Sequence, residues 1–425
     1  MKRSTGILPP LLLALIGTLA RAQTPYPDLE IVESAPAETS LDDPLVRNTQ
    51  EVWLEMIRAA RSCLDIEQFY ICSERGEPLE PVIAAIIDAG ERGVRVRVIA
   101  DSKFYKTYPE TLDLLRGCAN TSVRIIDFRN ITGDGVQHAK YFIVDREQVY
   151  VGSANFDWRA LDHIREIGVR LRHPEAASCY TDLFELDWKL CEAKSPEEAP
   201  RLVVTHTYPP FFTLPETANE PTVNDHSGSE TPAGSPVEFH PVWAPAQISP
   251  ARQFWNLASI LELIAGARSE ISASVLSFSP VARDRKTFWP ELENALKSAA
   301  TRGVRVRLLL SDWGNRHPKI DYVKSLALFP NIEVCILSIP DHSRGFIPFA
   351  RVTHAKYLIA DDARCWIGSS NWERDYFYQS RNAGLVVKSR LFATRLDSLF
   401  ERDWESPYAE RVNPVKDYPP RRTDK

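Results

Sequence analysis

The stretch VQHAKYFIVDREQVYVGSAN (136–155) is written again as VTHAKYLIADDARCWIGSSN (352–371), 216 positions further on. Each copy is an apolar run of strand composition with a His and a Lys set into it. A buried strand has no packing use for either group, because burying an unpaired charge or polar atom is unfavourable. On an extended backbone, residues i and i+2 project to the same side. His138 and Lys140 therefore share one face, as do His354 and Lys356, while Ala139 and Ala355 face the other way. Five residues past each Lys stands an Asp (Asp145, Asp361) at the expected strand end. Six residues then intervene before Gly-Ser-x-Asn: Gly152, Ser153, Asn155 and Gly368, Ser369, Asn371.

Working outward, the repetition continues. ARS (60–62) returns at 267–269, RGVRVR (92–97) at 302–307, and LFELDW (183–188) as LFERDW (399–404). The offsets grow only slightly along the chain, so one unit is present twice. In the first copy, helical apolar spacing over 46–62 precedes the strand-like LDIEQFYI (64–71). A helix over 78–93 is followed by the alternating VRVRVIAD (94–101), then a helix (108–118) and VRIIDF (123–128). Strand followed by helix, repeated, predicts an α/β chain of two similar α/β/α halves. Mixed, mostly parallel sheets are expected, packed about a pseudo-twofold axis. The expected organisation is a first half over 45–194 (motif 132–159), a connection over 195–250 crowded with Pro and Ser, a second half over 251–410 (motif 348–375) and a tail, 411–425.

The 425 residues suit two such halves, and 44% hydrophobic with 25% charged content is globular. A net charge of −6 argues against a general basic coat for duplex nucleic acid, although 51 Lys and Arg suffice for a local basic groove. Residues 1–22 pair Lys2 and Arg3 with the apolar 7–20 and the small-x-small Ala20-Arg21-Ala22. That pattern is a signal peptide, too short and too Pro-interrupted for a membrane span, and predicts export to a secreted, periplasmic or lumenal location with no transmembrane segment left afterwards. Seven cysteines cannot all pair within the chain. Cys335 and Cys365 read as buried thiols, and Cys179 with Cys191 as a possible pair.

Two halves facing each other supply two imidazoles, two ammonium groups and paired small donors, a set suited to a phosphodiester. Lysines with Ser and Asn donors bind non-bridging oxygens where negative charge develops. One imidazole attacks phosphorus, and the other protonates the leaving oxygen and later deprotonates water. Histidine is available in both protonation states near neutral pH. The scheme calls for no metal and no other cofactor, since the lysines supply the positive charge.

HxKxxxxD followed by GSxN, present twice, resembles the phospholipase D superfamily. GSANFDWRAL (152–161), RGVRVRLLLSDWG (302–314), FIPFARVTHAKY (346–357) and GSSNWERDYF (368–377) are similar to its animal branch of phospholipases D3 and D4. The resemblance implies a covalent phosphohistidine intermediate. It implies a catalytic set of His138, Lys140, Asp145, His354, Lys356 and Asp361, with Ser153, Asn155, Glu166, Ser369 and Asn371 binding substrate. Glu166 matches the acidic residue that orients the partner imidazole; Asn382 departs from that pattern in the second half. By the same analogy His138 is the nucleophile and His354 the acid.

The branch further implies a 5′-exonuclease on single-stranded DNA or RNA. Phe104, Tyr105, Tyr108, Trp158, Trp372, Tyr376 and Phe377 are available to stack bases if they line the cleft. Arg344 and Arg351 stand near the second motif as candidate guides for a polyanion. Two other readings stay open. One is a phospholipase D or phosphatidyl transferase on phospholipids or lysophospholipids, with FFTLP (211–215) and FIPF (346–349) as docking segments. The other is an inactive binding protein.

Overall fold

The computed structural model of the chain describes residues 28–215 and 236–424, and the expected leader, 1–22, lies outside them. In the first half the strands are Leu29–Ser34 (β1), Cys63–Gln68 (β2), Arg95–Asp101 (β3), Thr121–Ile126 (β4), Tyr141–Val144 (β5), Gln148–Gly152 (β6) and Glu166–Arg172 (β7). With the short Arg47–Asn48 they form an eight-stranded sheet, running from that edge β1-β7-β6-β5-β2-β3-β4. The second half has Val237–Ala244 (β8), Glu270–Val275 (β9), Arg305–Ser311 (β10), Ile332–Leu337 (β11), Tyr357–Ala360 (β12), Arg364–Gly368 (β13) and Asn382–Lys388 (β14). Flanked by Phe212–Leu214 and Ala409–Arg411, they form a nine-stranded sheet in the order β8-β14-β13-β12-β9-β10-β11. The first sheet thus takes β1 from before residue 45, and the second takes β8 from the Pro- and Ser-rich connection.

The expectation of mostly parallel sheets is overturned. Four of the seven pairings in the first sheet are antiparallel, as are six of eight in the second. The strand–helix alternation does give parallel strands where it was read, β2-β3-β4 and β9-β10-β11. The repeated motif behaves otherwise. Asp145 and Arg146 both have positive φ (54° and 59°), and so do Asp361 and Asp362 (55° and 47°). Two consecutive left-handed residues make the tight turn that reverses a chain into a two-stranded hairpin. β5-β6 and β12-β13 are those hairpins, each closed by a three-residue loop (145–147 and 361–363), and so short a loop can join only antiparallel strands.

Helices Thr49–Ala59 (α1), Glu80–Glu91 (α2), Pro174–Leu190 (α3), Asn256–Gly266 (α4), Glu291–Thr301 (α5) and Arg390–Trp404 (α6) cover the sheets. Ala139, Tyr141 and Ile143 of one hairpin and Ala355, Tyr357 and Ile359 of the other enter one continuous core, together with Tyr180 and Phe184 of α3 and Phe392 and Phe400 of α6. α3 and α6 therefore pack against the apolar faces of both hairpins, and the seam between the halves is interior. Each half keeps a second core on its outer side, around Trp53 in the first and Trp366 in the second. All seven cysteines are free thiols. Cys179 lies in α3 and Cys191 just past its end, so roughly 18 Å of helix separates them and they cannot pair. Among the described residues no helix is long and apolar enough to cross a membrane.

Candidate active site

The two His-Lys segments meet at the seam, each secured on backbone from the opposite half. His138 N–H donates to Arg381 O (2.8 Å) and Arg381 N–H to Val136 O (2.9 Å). The second copy repeats this, with His354 N–H on Arg165 O (2.8 Å) and Arg165 N–H on Val352 O (2.9 Å). Each imidazole then finds its side-chain partner one residue further along the same foreign strand. His354 Nδ1 lies 2.8 and 3.0 Å from the Glu166 carboxylate oxygens, and His138 Nδ1 lies 3.0 Å from Asn382 Oδ1. Neither site is complete within one half.

The Asn382 amide fixes the His138 tautomer. Its nitrogen donates to Tyr376 O (2.7 Å), and its oxygen accepts from Ser369 Oγ (2.9 Å), so the oxygen faces His138. The hydrogen on His138 is therefore on Nδ1, leaving a lone pair on Nε2. Burial, then Lys140 and Lys356, hold this imidazole well below its ordinary range. His354 is lowered to about 4 by burial, with Glu166 opposing and the lysines assisting. Burial acts to raise Glu166, but His354 and Lys356 outweigh it and keep the carboxyl below its usual value.

Both ammonium groups are fully buried, and each donates to the carbonyl of its own motif histidine. Burial lowers Lys356 to about 7, against the pull of Glu166, and burial followed by Lys356 lowers Lys140 well below its ordinary value. An anion arriving between them restores the protonated forms. Affinity for sulfate, which does not titrate in this range, should accordingly fall from about pH 7 upward as Lys356 loses its proton. Calorimetric titration at several pH values reads this; pH-independent binding between pH 6 and 9 would remove the lysines from the anion site.

Not all the expected residues reach the seam. Asp145 lies at the far end of its strand, roughly 20 Å along the chain from His138. Its carboxylate accepts from Arg61, Ser62 and Cys63 N–H at 2.7–3.2 Å and from Ser62 Oγ at 2.8 Å. Asp361 does the same for Arg268, Ser269 and Glu270. Both tie the hairpin turn to the start of the neighbouring strand, and their place in the expected catalytic set is withdrawn. Asp145→Ala should therefore lower stability by about 1–3 kcal/mol and change kcat by less than about threefold. A hundredfold loss of kcat in a folded variant would return Asp145 to the chemistry.

Ser153 and Ser369 are likewise occupied. Ser153 Oγ bridges Ile167 N and O (3.0 and 3.1 Å), and Ser369 Oγ accepts from Ala383 N–H while donating to Asn382. They hold the strands that carry Glu166 and Asn382 and do not face a ligand, so their expected substrate-binding role is also withdrawn. Their preceding glycines allow the close approach: a Cβ on Gly152 would stand 2.5 Å from Gly168 Cα. Asn155 and Asn371 are buried with amide oxygens that have no protein partner.

Several contacts were not legible beforehand. Phe69, just past the end of β2, packs its ring 5.0 Å from the His138 ring and 5.0 Å from Lys140 Nζ. Strand carboxyl ends are where α/β sheets place ligands, and that rule was the available signal. Phe69 meets Phe104 (4.1 Å), and Tyr70 stacks with Phe104 and Tyr108 (5.3 and 5.2 Å), making an aromatic wall beside His138. Tyr376 also meets that ring edge-on, at 4.9 Å. Trp372 and Phe377 are core residues instead. Tyr105 is bonded to Asp113. Arg351 is buried on the carbonyls of Pro340 and Ala37, so it guides no polyanion.

Two imidazoles and two ammonium groups, paired across a pseudo-twofold seam and oriented from opposite halves, define a phosphodiester-processing enzyme. The chain belongs to the phospholipase D-like family, whose profile, described as cardiolipin synthase, PLD-like domain, matches residues 53–188 and 260–404. It is similar to the 5'-3' exonuclease PLD3 of Rattus norvegicus, 32% identical over 416 residues covering 91% of this chain and 81% of that protein. It is also similar to Phospholipase D Z of Dictyostelium discoideum, 29% identical over 90% of both chains. Among solved structures, phosphatidylserine synthase of Haemophilus influenzae shares the fold over 85% of each chain, with a TM-score of 0.58 and 13% identity. The enzyme is a phosphodiesterase.

Proposed function

We propose that the chain hydrolyses phosphodiesters through a phosphohistidine, with the 5′ end of single-stranded DNA or RNA as substrate. The observation that carries the mechanism is the unlike pairing of the imidazoles, His138 on an amide and His354 on a carboxylate. His138 Nε2 attacks phosphorus, forming the P–N bond, while the P–O bond to the leaving group breaks and His354 Nε2–H protonates that oxygen. Neutral His354 then takes a proton from water, whose oxygen displaces His138 and releases the phosphate product. Lys140 and Lys356 neutralise the non-bridging oxygens, and the amides of Asn155 and Asn371 donate to them. The arriving phosphodiester, a monoanion, raises His354 toward its protonated form, opposing the effect of burial.

The likeness to the rat exonuclease supports the nucleic-acid substrate, and the aromatic wall of Phe69, Tyr70, Phe104 and Tyr108 offers contacts for an unpaired base. The likeness to the Dictyostelium phospholipase supports a second reading, a phospholipid substrate. The test incubates the full chain, with EDTA, with 5′-hydroxyl single-stranded DNA and separately with phosphatidylglycerol vesicles. Nucleotide release without headgroup release is expected; the reverse outcome would replace the first reading by the second. Turnover of neither would leave a binding protein.

A further inference from the structure

We infer that Asp187 and Asp403, the acidic residues of the repeated LFELDW and LFERDW, are positioning residues for the two active-site imidazoles, acting across the seam through Arg381 and Arg165. All four side chains are fully buried, and none is hydrogen-bonded to the side chain of a motif His or Lys. Asp187, on α3 of the first half, receives Arg381 of the second half in a two-pronged pairing: Nε to Oδ2 at 2.7 Å and Nη2 to Oδ1 at 2.6 Å. The remaining prong, Nη1, is taken by Ala244 O (2.9 Å) and Ile248 O (2.7 Å). Asp403, on α6 of the second half, receives Arg165 Nε of the first half at 3.0 Å to both oxygens, and Arg165 Nη1 also bonds to Glu33.

What these arginines hold is the reason for assigning a role beyond stability. Arg381 O accepts from His138 N–H, and the next residue, Asn382, is the Nδ1 partner of His138. Arg165 O accepts from His354 N–H, and the next residue, Glu166, is the Nδ1 partner of His354. One guanidinium thus fixes both the backbone and the side-chain anchor of each ring. The path is crossed: α3 of the first half sets His138 of the first half by way of a strand of the second half. A fully desolvated guanidinium held by two prongs has a single orientation, whereas a Lys or a water-exposed pair would leave several. The geometric tolerance for reaction is narrow enough that about 1 Å of drift in a reacting ring lowers rate on the order of a hundredfold. The two clamps differ, since Arg165 meets two carboxylates and keeps Nη2 without a partner, whereas Arg381 meets one carboxylate and two carbonyls.

The kinetic part of this proposal rests on the histidine chemistry proposed above; the structural part does not. The full chain would carry Asp187→Asn, with Asp65→Asn as comparator. Asp65 makes an equally tight buried pairing with Arg97, at 2.7 Å for both bonds, between two strands of the first half and with no residue of the second half. Asp187→Asn is expected to lower kcat on single-stranded DNA by about a hundredfold with KM within about twofold, while Asp65→Asn, at matched loss of Tm, keeps its kcat. Should Asp187→Asn not fold, the double variant Asp187→Leu/Arg381→Met removes both partners of the ion pair together and is expected to show the same loss of kcat. Histidine-selective 15N NMR reads the anchors without any substrate. Asp187→Asn should shift the His138 ring resonances and spare those of His354, and Asp403→Asn should do the opposite. A folded Asp187 variant with normal kcat and unmoved His138 resonances would overturn the proposal. An inactive wild-type chain with the expected resonance shifts would instead overturn the proposed chemistry and leave the clamps standing.

Discussion

His138→Ala is expected to reduce turnover by about 10⁴- to 10⁶-fold, the scale seen when an enzyme loses the nucleophile of a covalent mechanism. The side chain is buried in the seam with Nδ1 protonated toward Asn382, so its removal takes away the only lone pair assigned to attack. His354→Ala should be comparably inert on DNA, yet it should behave differently with a p-nitrophenyl phosphodiester, whose leaving group departs without a proton. There the variant should release about one equivalent of nitrophenolate per site and stop, because no base remains to activate water against the P–N bond. Rapid-mixing absorbance measures both. A burst in the His138 variant and none in the His354 variant would exchange the roles of the two rings.

Glu166→Gln should lower kcat/KM by about 10²- to 10⁴-fold, the range for replacing the carboxylate that orients and charges a catalytic imidazole. The sign of its pH effect follows from the present balance. Burial depresses His354, and Glu166 is the main opposing influence. Without that carboxylate His354 releases its proton at still lower pH. The limb of the rate profile that needs His354 protonated moves to lower pH, and part of the lost rate returns on acidification. A kcat profile between pH 4 and 8, which reports the complex in which the substrate phosphate has raised His354, decides it. An unshifted limb would mean that His354 is not the acid, since its anchor is direct at 2.8 Å.

Much of this molecule was legible in the chain itself. The duplication and the shared face of His138 with Lys140 and of His354 with Lys356 were read from residue identity at fixed spacing, whereas the match of Glu166 to a His-orienting acid came from the family resemblance. Corrections fall where one residue type serves two purposes. Aspartate is a catalytic carboxylate and also a residue that accepts a left-handed backbone, so Asp145 and Asp361 read as chemistry while their positive φ makes them turns. Serine donates to ligands and to neighbouring strands alike, and Ser153 and Ser369 do the second. The sheet direction was misread for a different cause: helix-linked strands announce themselves through their crossovers, whereas the strand ends at Asp145 and Asp361 carried no sign that the chain turns straight back through a three-residue loop.

By itself the amino-acid order determined that there are two equivalent units and which side chains each brings, because strand periodicity and repetition are local properties. Tertiary structure alone decided that each imidazole is anchored by the opposite unit, and that Asp187 and Asp403 stand behind those anchors. The His138–Asn382 and His354–Glu166 contacts span 244 and 188 residues. No local preference encodes such pairs. They arise because both hairpins bury their apolar faces in one core with α3 and α6, and burying that shared surface leaves the polar ends of the two units a single way to meet.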